Sequence, residues 1–379
     1  MNHNETPEWI DRAALSAPVA LLMGVDDVSI DDWACKQVFS GAGGQLGVWR
    51  LTGTANGAGA SRRWSMFLKA WAPADAVPAS WNWSHREPAA YRSGVPASMP
   101  DGIAAPRLLG EATRPDGAIW LWLEDVAGDA DAAWPLERYA KAARLLGKWN
   151  GAYLTGLPLP DHDWLSHNWL RHWVEAAAPA IETIVEAREH PVIRQAFPPG
   201  SIEAFRQLWE DRHACFASID ALPKTFCHLD AFRRNLFFRQ HAGGVEELVA
   251  IDWGFCGIGA IGEDLAPLVA ASVFFMEIPG RQVRQLEQLA LDGYIAGLRD
   301  AGWNGNPEQV WTGYANAVVL RYGIGGHRVL LPWLMDERNH RRLELIVNRP
   351  VNDLIEQLRM LNEWLADLSG EARHGIRST

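Results

Sequence analysis

Residues 226–238 read FCHLDAFRRNLFF. His228, Asp230, Arg233, Arg234 and Asn235 stand between two apolar ends, and so dense a polar cluster is costly to desolvate unless its groups bond one another or a ligand. Downstream, NLFFR (235–239), QHAGGVEE (240–247) and LVAIDW (248–253) read as two apolar strands reversed at Gly243 and Gly244, a hairpin. The polar segment lies at its entry and Asp252 at its exit, so Asp230, Asn235 and Asp252 are expected to converge. One carboxylate to orient a hydroxyl, with an amide and a second carboxylate as hard oxygen ligands, is the donor set that phosphoryl transfer with magnesium requires.

Working outward, the two flanks differ in character. Upstream, KQVFSG, GVWRLTG, WSMFLKAW and IWLWLED are short β-like runs separated by small residues and proline, which predicts a small antiparallel sheet. From Pro135 onward, Leu136, Tyr139, Ala143, Leu146 and Tyr153 recur at helical steps, and the larger part is expected to be mainly helix. The change from apolar to small and acidic in LWLEDVAGDADAAW (121–134) reads as a connection between two lobes. The expected division is a first lobe over 1–125 and a second over 126–379.

Composition narrows the class. The chain of 379 residues is 48% hydrophobic and 21% charged, near globular averages, so two ordinary lobes are expected. The start MNHNETPEWIDR is polar and acidic rather than basic then apolar, and the longest uncharged apolar run, 265–276, is too short for a membrane span; a cytoplasmic protein with no membrane partner is expected. A net charge of −11 disfavours nucleic acid and mildly suits a cationic substrate. Cys35, Cys215, Cys227 and Cys256 show no CxxC pairing and match no structural zinc spacing, so small buried thiols are expected.

With these residues in view, HLDAFRRN (228–235) and AIDW (250–253) resemble the H-x-D-x-x-x-x-N and I-D-W/F blocks of the aminoglycoside phosphotransferase and choline kinase families. The resemblance runs from about Ser40 to Leu268. It implies an α+β, bilobal, protein-kinase-like fold: a small antiparallel N-lobe sheet with one helix, and a larger helical C-lobe. The implied activity is transfer of the γ-phosphate of ATP or GTP, with Mg²⁺, to a hydroxyl of a small molecule. Asp230 would then orient the acceptor, Asn235 and Asp252 would hold the metal, and His228 and Asp264, the latter in GEDLAPL (262–268), would support the loop. Lys69 ends an alternating strand as the phosphate-binding lysine of these kinases does, and Glu87 in HREPAAYRSG follows where its partner is expected. Adenine would lie under the connection, bonding main chain around Glu124 and Val126. Two departures stand out: Leu229 replaces the glycine common between His and Asp, and Phe232 stands where protein kinases place a basic residue, so one of Arg233 and Arg234, otherwise a solvated pair, is expected to meet the transferring phosphate, with Arg233 as the catalytic candidate.

Each residue also has a plainer reading. Ser84-x-x-Glu87 is a capping-box signature, Asp230 and Asn235 could be turn formers, and Lys69 could be a strand-end lysine. The glycine-rich stretch SGAGGQLGVWRLTG (40–53) lets backbone N–H groups at Gly43 and Gly44 approach phosphates, a weak signal by itself. Gly257 to Gly262 spells G-x-G-x-x-G after an apolar strand, the mark of a dinucleotide site, but the segment that follows, EIPGRQVRQLEQLALDGY (277–294), is helical where a second strand is required. In the kinase reading those glycines make a flexible loop after Asp252. The other alternative is a nucleotide-binding regulator that has lost turnover. Twenty tryptophans read mostly as core, with Trp164, Trp169, Trp173 and the segment 318–335 as candidate walls of the acceptor pocket. Arg321 and Arg328 there oppose Asp336 and Glu337 in charge, and the acceptor is left open. A monomer or homodimer is expected.

Overall fold

The computed structural model describes residues 10–38, 45–73, 78, 80–126, 133–241 and 243–377. The chain divides into two compact units, the first comprising Met1–Met99, Ala104–Ala130 and Phe237–Gly254, the second Pro100–Ile103, Asp131–Leu236 and Phe255–Thr379.

In the first unit, strands β1 (Ser29–Val38), β2 (Gln45–Gly57), β3 (Ala60–Trp71), β5 (Leu108–Thr113) and β6 (Ile119–Glu124) form one sheet in the order β1-β2-β3-β6-β5, and every neighbouring pair is antiparallel; β4 is the two-residue strand Ile103–Ala104. Alternation decides the faces. Trp49, Leu51 and Ala55 of β2 and Met66, Leu68 and Ala70 of β3 pack in one core with Leu15 and Val19 of the helix Arg12–Met23. Lys69, lying between Leu68 and Ala70, therefore leaves β3 on the opposite face. The sheet and its antiparallel sense are as the sequence predicts. Strand β5 and the helix Arg12–Met23, capped by the Asp11 carboxylate, are additions to it, so among the described residues this unit has two α-helices, the second being Arg86–Ser93.

The expected hairpin is present as β8 (Leu236–Gln240) and β9 (Glu246–Ala250). Gly243 and Gly244 turn it with φ of 88° and 81°, a region that residues bearing a Cβ avoid. Most of this hairpin, with Asp252, belongs to the first unit.

The second unit is helical apart from β7 (Lys224–Cys227) and β10 (Gly257–Ala260), which pair antiparallel. Its central contact joins the helices Leu136–Leu154 and Val283–Asp300, where a Cβ on Gly147 would fall 2.1 Å from the Tyr294 carbonyl oxygen and one on Gly297 1.9 Å from that of Arg144, so only glycine permits the approach. Tyr139, Ala143 and Leu146 are buried as the periodicity requires, with Pro135 one place earlier than expected, at the N-cap. Long helices Ser201–Asp220 and Val351–Arg377 pack outside this pair. Among the described residues no helix is long and apolar enough to cross a membrane.

The G-x-G-x-x-G stretch is not a nucleotide loop. Its first glycines lie in β10, which pairs antiparallel with β7, and a Cβ on Gly257 would stand 2.0 Å from the Ser166 carbonyl oxygen. Gly259 is equally closed, against Cys227 Sγ at 2.9 Å and Glu263 Oε2 at 3.0 Å, and Gly262 faces the Val310 carbonyl oxygen at 2.4 Å. The positions a pyrophosphate would need are filled by the protein's own backbone, so neither a βαβ dinucleotide site nor a flexible loop describes them.

Candidate functional site

The candidate residues fall into two groups, one in each unit. In the first, Lys69 Nζ donates to both carboxylate oxygens of Glu87 at 2.9 Å and to Asp252 Oδ1 at 3.3 Å. Glu87 is 2% exposed and also accepts from the Trp253 N–H at 3.4 Å. Burial opposes the charge on Lys69, but the carboxylates of Asp252 and Glu87 outweigh it and hold the ammonium pKa above its ordinary value. Asp252 has φ of 66°, an uncommon left-handed backbone for a non-glycine residue and one often found where a side chain is aimed for a purpose. The capping-box reading of Ser84 and Glu87 fails, because His85 occupies the N-cap without a side-chain bond and Glu87 faces the lysine. Arg86, which sequence reasoning passed over, is 1% exposed and donates to the carbonyls of Ser80, Trp81 and Gly254, tying the start of this helix to the segment after Asp252.

At the end of β6, Glu124 is committed on several sides. Its carboxylate accepts from Arg239 at 3.0 Å and from the Arg107 N–H at 3.1 Å, and its own N–H donates to the Arg107 carbonyl at 3.0 Å. Val126 follows, half-buried. The neighbouring Asp125 binds Arg50 and the Ser65 hydroxyl. Gly43 and Gly44 lie outside the described residues.

In the second unit, β7 delivers the chain into a loop that is bonded at nearly every position. The Asp264 carboxylate accepts from the N–H groups of His228 and Leu229 at 3.1 and 2.7 Å and from the Asn150 amide at 3.2 Å. Asn150 in turn donates to the Phe226 carbonyl at 2.9 Å and accepts from the Tyr294 hydroxyl at 2.7 Å, which itself receives the Gly262 N–H. Burial pushes Asp264 up to about 6 against the bonds from Leu229, His228 and Asn150 that favour its charge. Leu229 has φ of 61°, so the position where relatives prefer glycine is left-handed here, and the leucine keeps that backbone while burying its side chain.

Asp230 follows with its N–H 3.3 Å from His228 Nδ1. Asn235 Nδ2 donates to the Asp230 carbonyl at 3.0 Å and to its Oδ2 at 3.1 Å, which commits the nitrogen end of the amide. Arg233, expected at a phosphate, is instead buried with its guanidinium over the Trp134 ring at 4.4 Å and on the Leu236 carbonyl at 3.1 Å. Arg234 binds Glu277 at 2.9 Å. The guanidinium that does reach Asp230 comes from Arg321, in a π-helical turn over Val319–Gly325; it donates to Asp230 Oδ1 and to the Leu229 carbonyl. Although burial opposes its charge, Tyr322, Asp230 and Glu263 together keep its pKa above the ordinary value. A signal for it was present in the sequence, a lone arginine within the apolar run ANAVVLRYGIGG (315–326).

The protein-kinase-like fold thus carries a loop that brings a carboxylate and an amide together. A model described as the phosphotransferase enzyme family matches residues 65–301, more than half of the chain, which belongs to that family and is a phosphotransferase. Among solved structures it is similar to an amicoumacin kinase in complex with AMP-PNP, Ca²⁺ and Ami, at 16% identity over 83% of this chain and 89% of that one, with a TM-score of 0.49. A choline kinase from Cryptosporidium parvum shows 13% identity, 88% and 93% coverage and a TM-score of 0.48. A spectinomycin phosphotransferase with ADP and its drug shows 11% identity, 97% and 99% coverage and a TM-score of 0.47. No curated protein matches the chain.

Proposed function

We propose that this phosphotransferase moves the γ-phosphoryl group of ATP or GTP to a hydroxyl of a small molecule. The observation that carries the reading is the bonded loop in which Asp230 is fixed by Asn235 and Arg321 while Asp264 holds the backbone before it. Asp230 orients the acceptor hydroxyl and takes its proton as the oxygen bonds to phosphorus and the nucleoside diphosphate leaves. Lys69, kept charged by Glu87, neutralises phosphate oxygens, with the N–H groups of Gly43 and Gly44 assisting. The adenine or guanine bonds main chain at Glu124 and Val126; because the Glu124 N–H is spent on Arg107, its carbonyl and the Val126 N–H are the groups this reading uses. His228, Asp264 and Arg233 support the loop. Magnesium suits the oxygen of Asn235 and the carboxylate of Asp252, both hard ligands, and supplies charge neutralisation on the phosphates.

Thermal unfolding with Mg²⁺ plus ATP, GTP or NAD tests the nucleotide half without knowledge of the acceptor. A ligand at about a hundred times its dissociation constant stabilises by about 2.7 kcal/mol, a shift of a few degrees. We expect that shift with ATP or GTP and a smaller one in Asp252→Ala. No shift with either nucleotide would overturn the reading, and a shift without any turnover across a broad acceptor panel would favour the regulator.

A further inference from the structure

The carboxylate on which the proposed transfer turns is not a bare negative charge. Oδ1 of Asp230 is taken by the Arg321 guanidinium and Oδ2 by the Asn235 amide. That guanidinium lies 4.5 Å over the Trp169 ring, Trp169 stacks on Trp173 with ring centroids 5.6 Å apart, and the guanidinium of Arg328 lies 5.6 Å over Trp173. The result is a layered wall of guanidinium, indole, indole and guanidinium beginning at Asp230. Gly325 makes room for it, since a Cβ there would stand 2.2 Å from Trp173 Nε1.

Of the two carboxylates that the sequence offered as counter-charges, Asp336 is engaged elsewhere and Glu337 is exposed in the short turn that follows. Asp336 caps the following turn and binds Arg338, and Glu277 binds Arg234. Glu263 is buried and accepts the Ala260 N–H at 2.9 Å. A polycationic acceptor presenting its hydroxyl to Asp230 would bring its ammonium groups against Arg321, which already holds Oδ1. A neutral or anionic acceptor meets a cation already in place beside Asp230.

We propose that the acceptor is a neutral or anionic hydroxyl compound rather than a polycation, and that Arg321 is the positioning residue that sets this preference. The inference rests on the reading of Asp230 as the acceptor-orienting carboxylate. The reaction balances as before: the acceptor O–H proton passes to Asp230, the acceptor oxygen bonds to the γ-phosphorus, and the bridging P–O bond breaks to release the diphosphate.

Calorimetric binding to the full chain tests it, with kanamycin as polycation, glucose as neutral probe and glucose 6-phosphate as anion, in wild type, Arg321→Met and Arg321→Lys. Kanamycin should bind Arg321→Met at least tenfold more tightly than wild type, because Asp230 is then unmasked, whereas Arg321→Lys should stay within about threefold of wild type. Equal kanamycin affinity in all three, or stimulation of nucleoside diphosphate release by kanamycin in wild type, overturns the proposal. Arg321→Lys keeps the charge and serves as the folded control; a Lys variant that binds kanamycin as tightly as the Met variant also counts against it. Nucleotide titration of the same samples separates the failures, since loss of the phosphotransferase reading appears as no Mg·nucleotide binding in wild type, while failure of this inference leaves that binding intact.

Discussion

Asp230 is the residue on which most depends. Asp230→Asn keeps the shape of the loop and removes the proposed proton acceptor, so nucleoside diphosphate release with a turned-over acceptor should fall on the order of a hundred- to ten-thousand-fold. Near wild-type turnover would remove Asp230 from the role. Lys69 makes a different kind of prediction because it is structural as well as chemical. Lys69→Met leaves Glu87 buried beside Asp252 with only the Trp253 N–H in compensation, and breaking a buried pair of this kind costs about 3–5 kcal/mol. Thermal unfolding should show a drop of several degrees, partly restored in Lys69→Met/Glu87→Met, where the orphaned carboxylate is gone as well.

Glu263 supplies the pH dependence. Burial pushes its carboxyl up to about 7, so the folded state favours the protonated form. The stability this contributes is greatest below the ordinary pKa of 4.5 and is lost as pH rises toward 7, at about 1.4 kcal/mol per pH unit in between. Glu263→Gln keeps an acceptor for the Ala260 N–H and removes the titration. Melting curves from pH 4.5 to 7.5 should therefore flatten in the variant, and an unchanged slope would place the titration elsewhere.

At the scale of elements, strand β10 shows how a motif can mislead. Gly257→Ala would drive a Cβ into the Ser166 carbonyl, an overpacking that costs about 1–3 kcal/mol, and its effect should appear as a lower melting temperature with no change in any NAD response. The sequence showed the glycines but not the antiparallel partner that explains them. Other elements were legible for physical reasons: strands β2, β3 and β6 alternate against one core, the helix Leu136–Leu154 has helical apolar spacing, and the paired glycines announce the turn between β8 and β9. Strand β5 was missed because LLGEAT is short and carries a glycine and a glutamate, so its pairing with β6 is a tertiary fact. Arg321 was missed as a partner of Asp230 for the same reason, since 91 residues separate them and no local pattern spans that distance. The loop His228 to Asn235 was readable because its polar groups bond one another within a few positions, while Asn150 and Tyr294, which hold it through Asp264, come from distant helices.

For the whole molecule, net charge and local charge point in different directions. The chain carries −11, which favours cations in its surroundings, yet the group on Asp230 Oδ1 is a guanidinium, itself backed by two stacked indoles. Long-range attraction governs encounter, is screened within about 10 Å at ordinary salt, and does not choose what binds.

The arrangement around Arg86 bears on how the protein is made. The five strands of the first sheet are all in hand once residue 124 has left the ribosome. Arg86 still lacks the Gly254 carbonyl, Glu87 the Trp253 N–H and Lys69 the Asp252 carboxylate, because all three arrive more than a hundred residues later. The first unit is therefore completed only after much of the second has been synthesised, and a gene cut after codon 125 would release a sheet whose buried lysine, arginine and glutamate are each short of a partner.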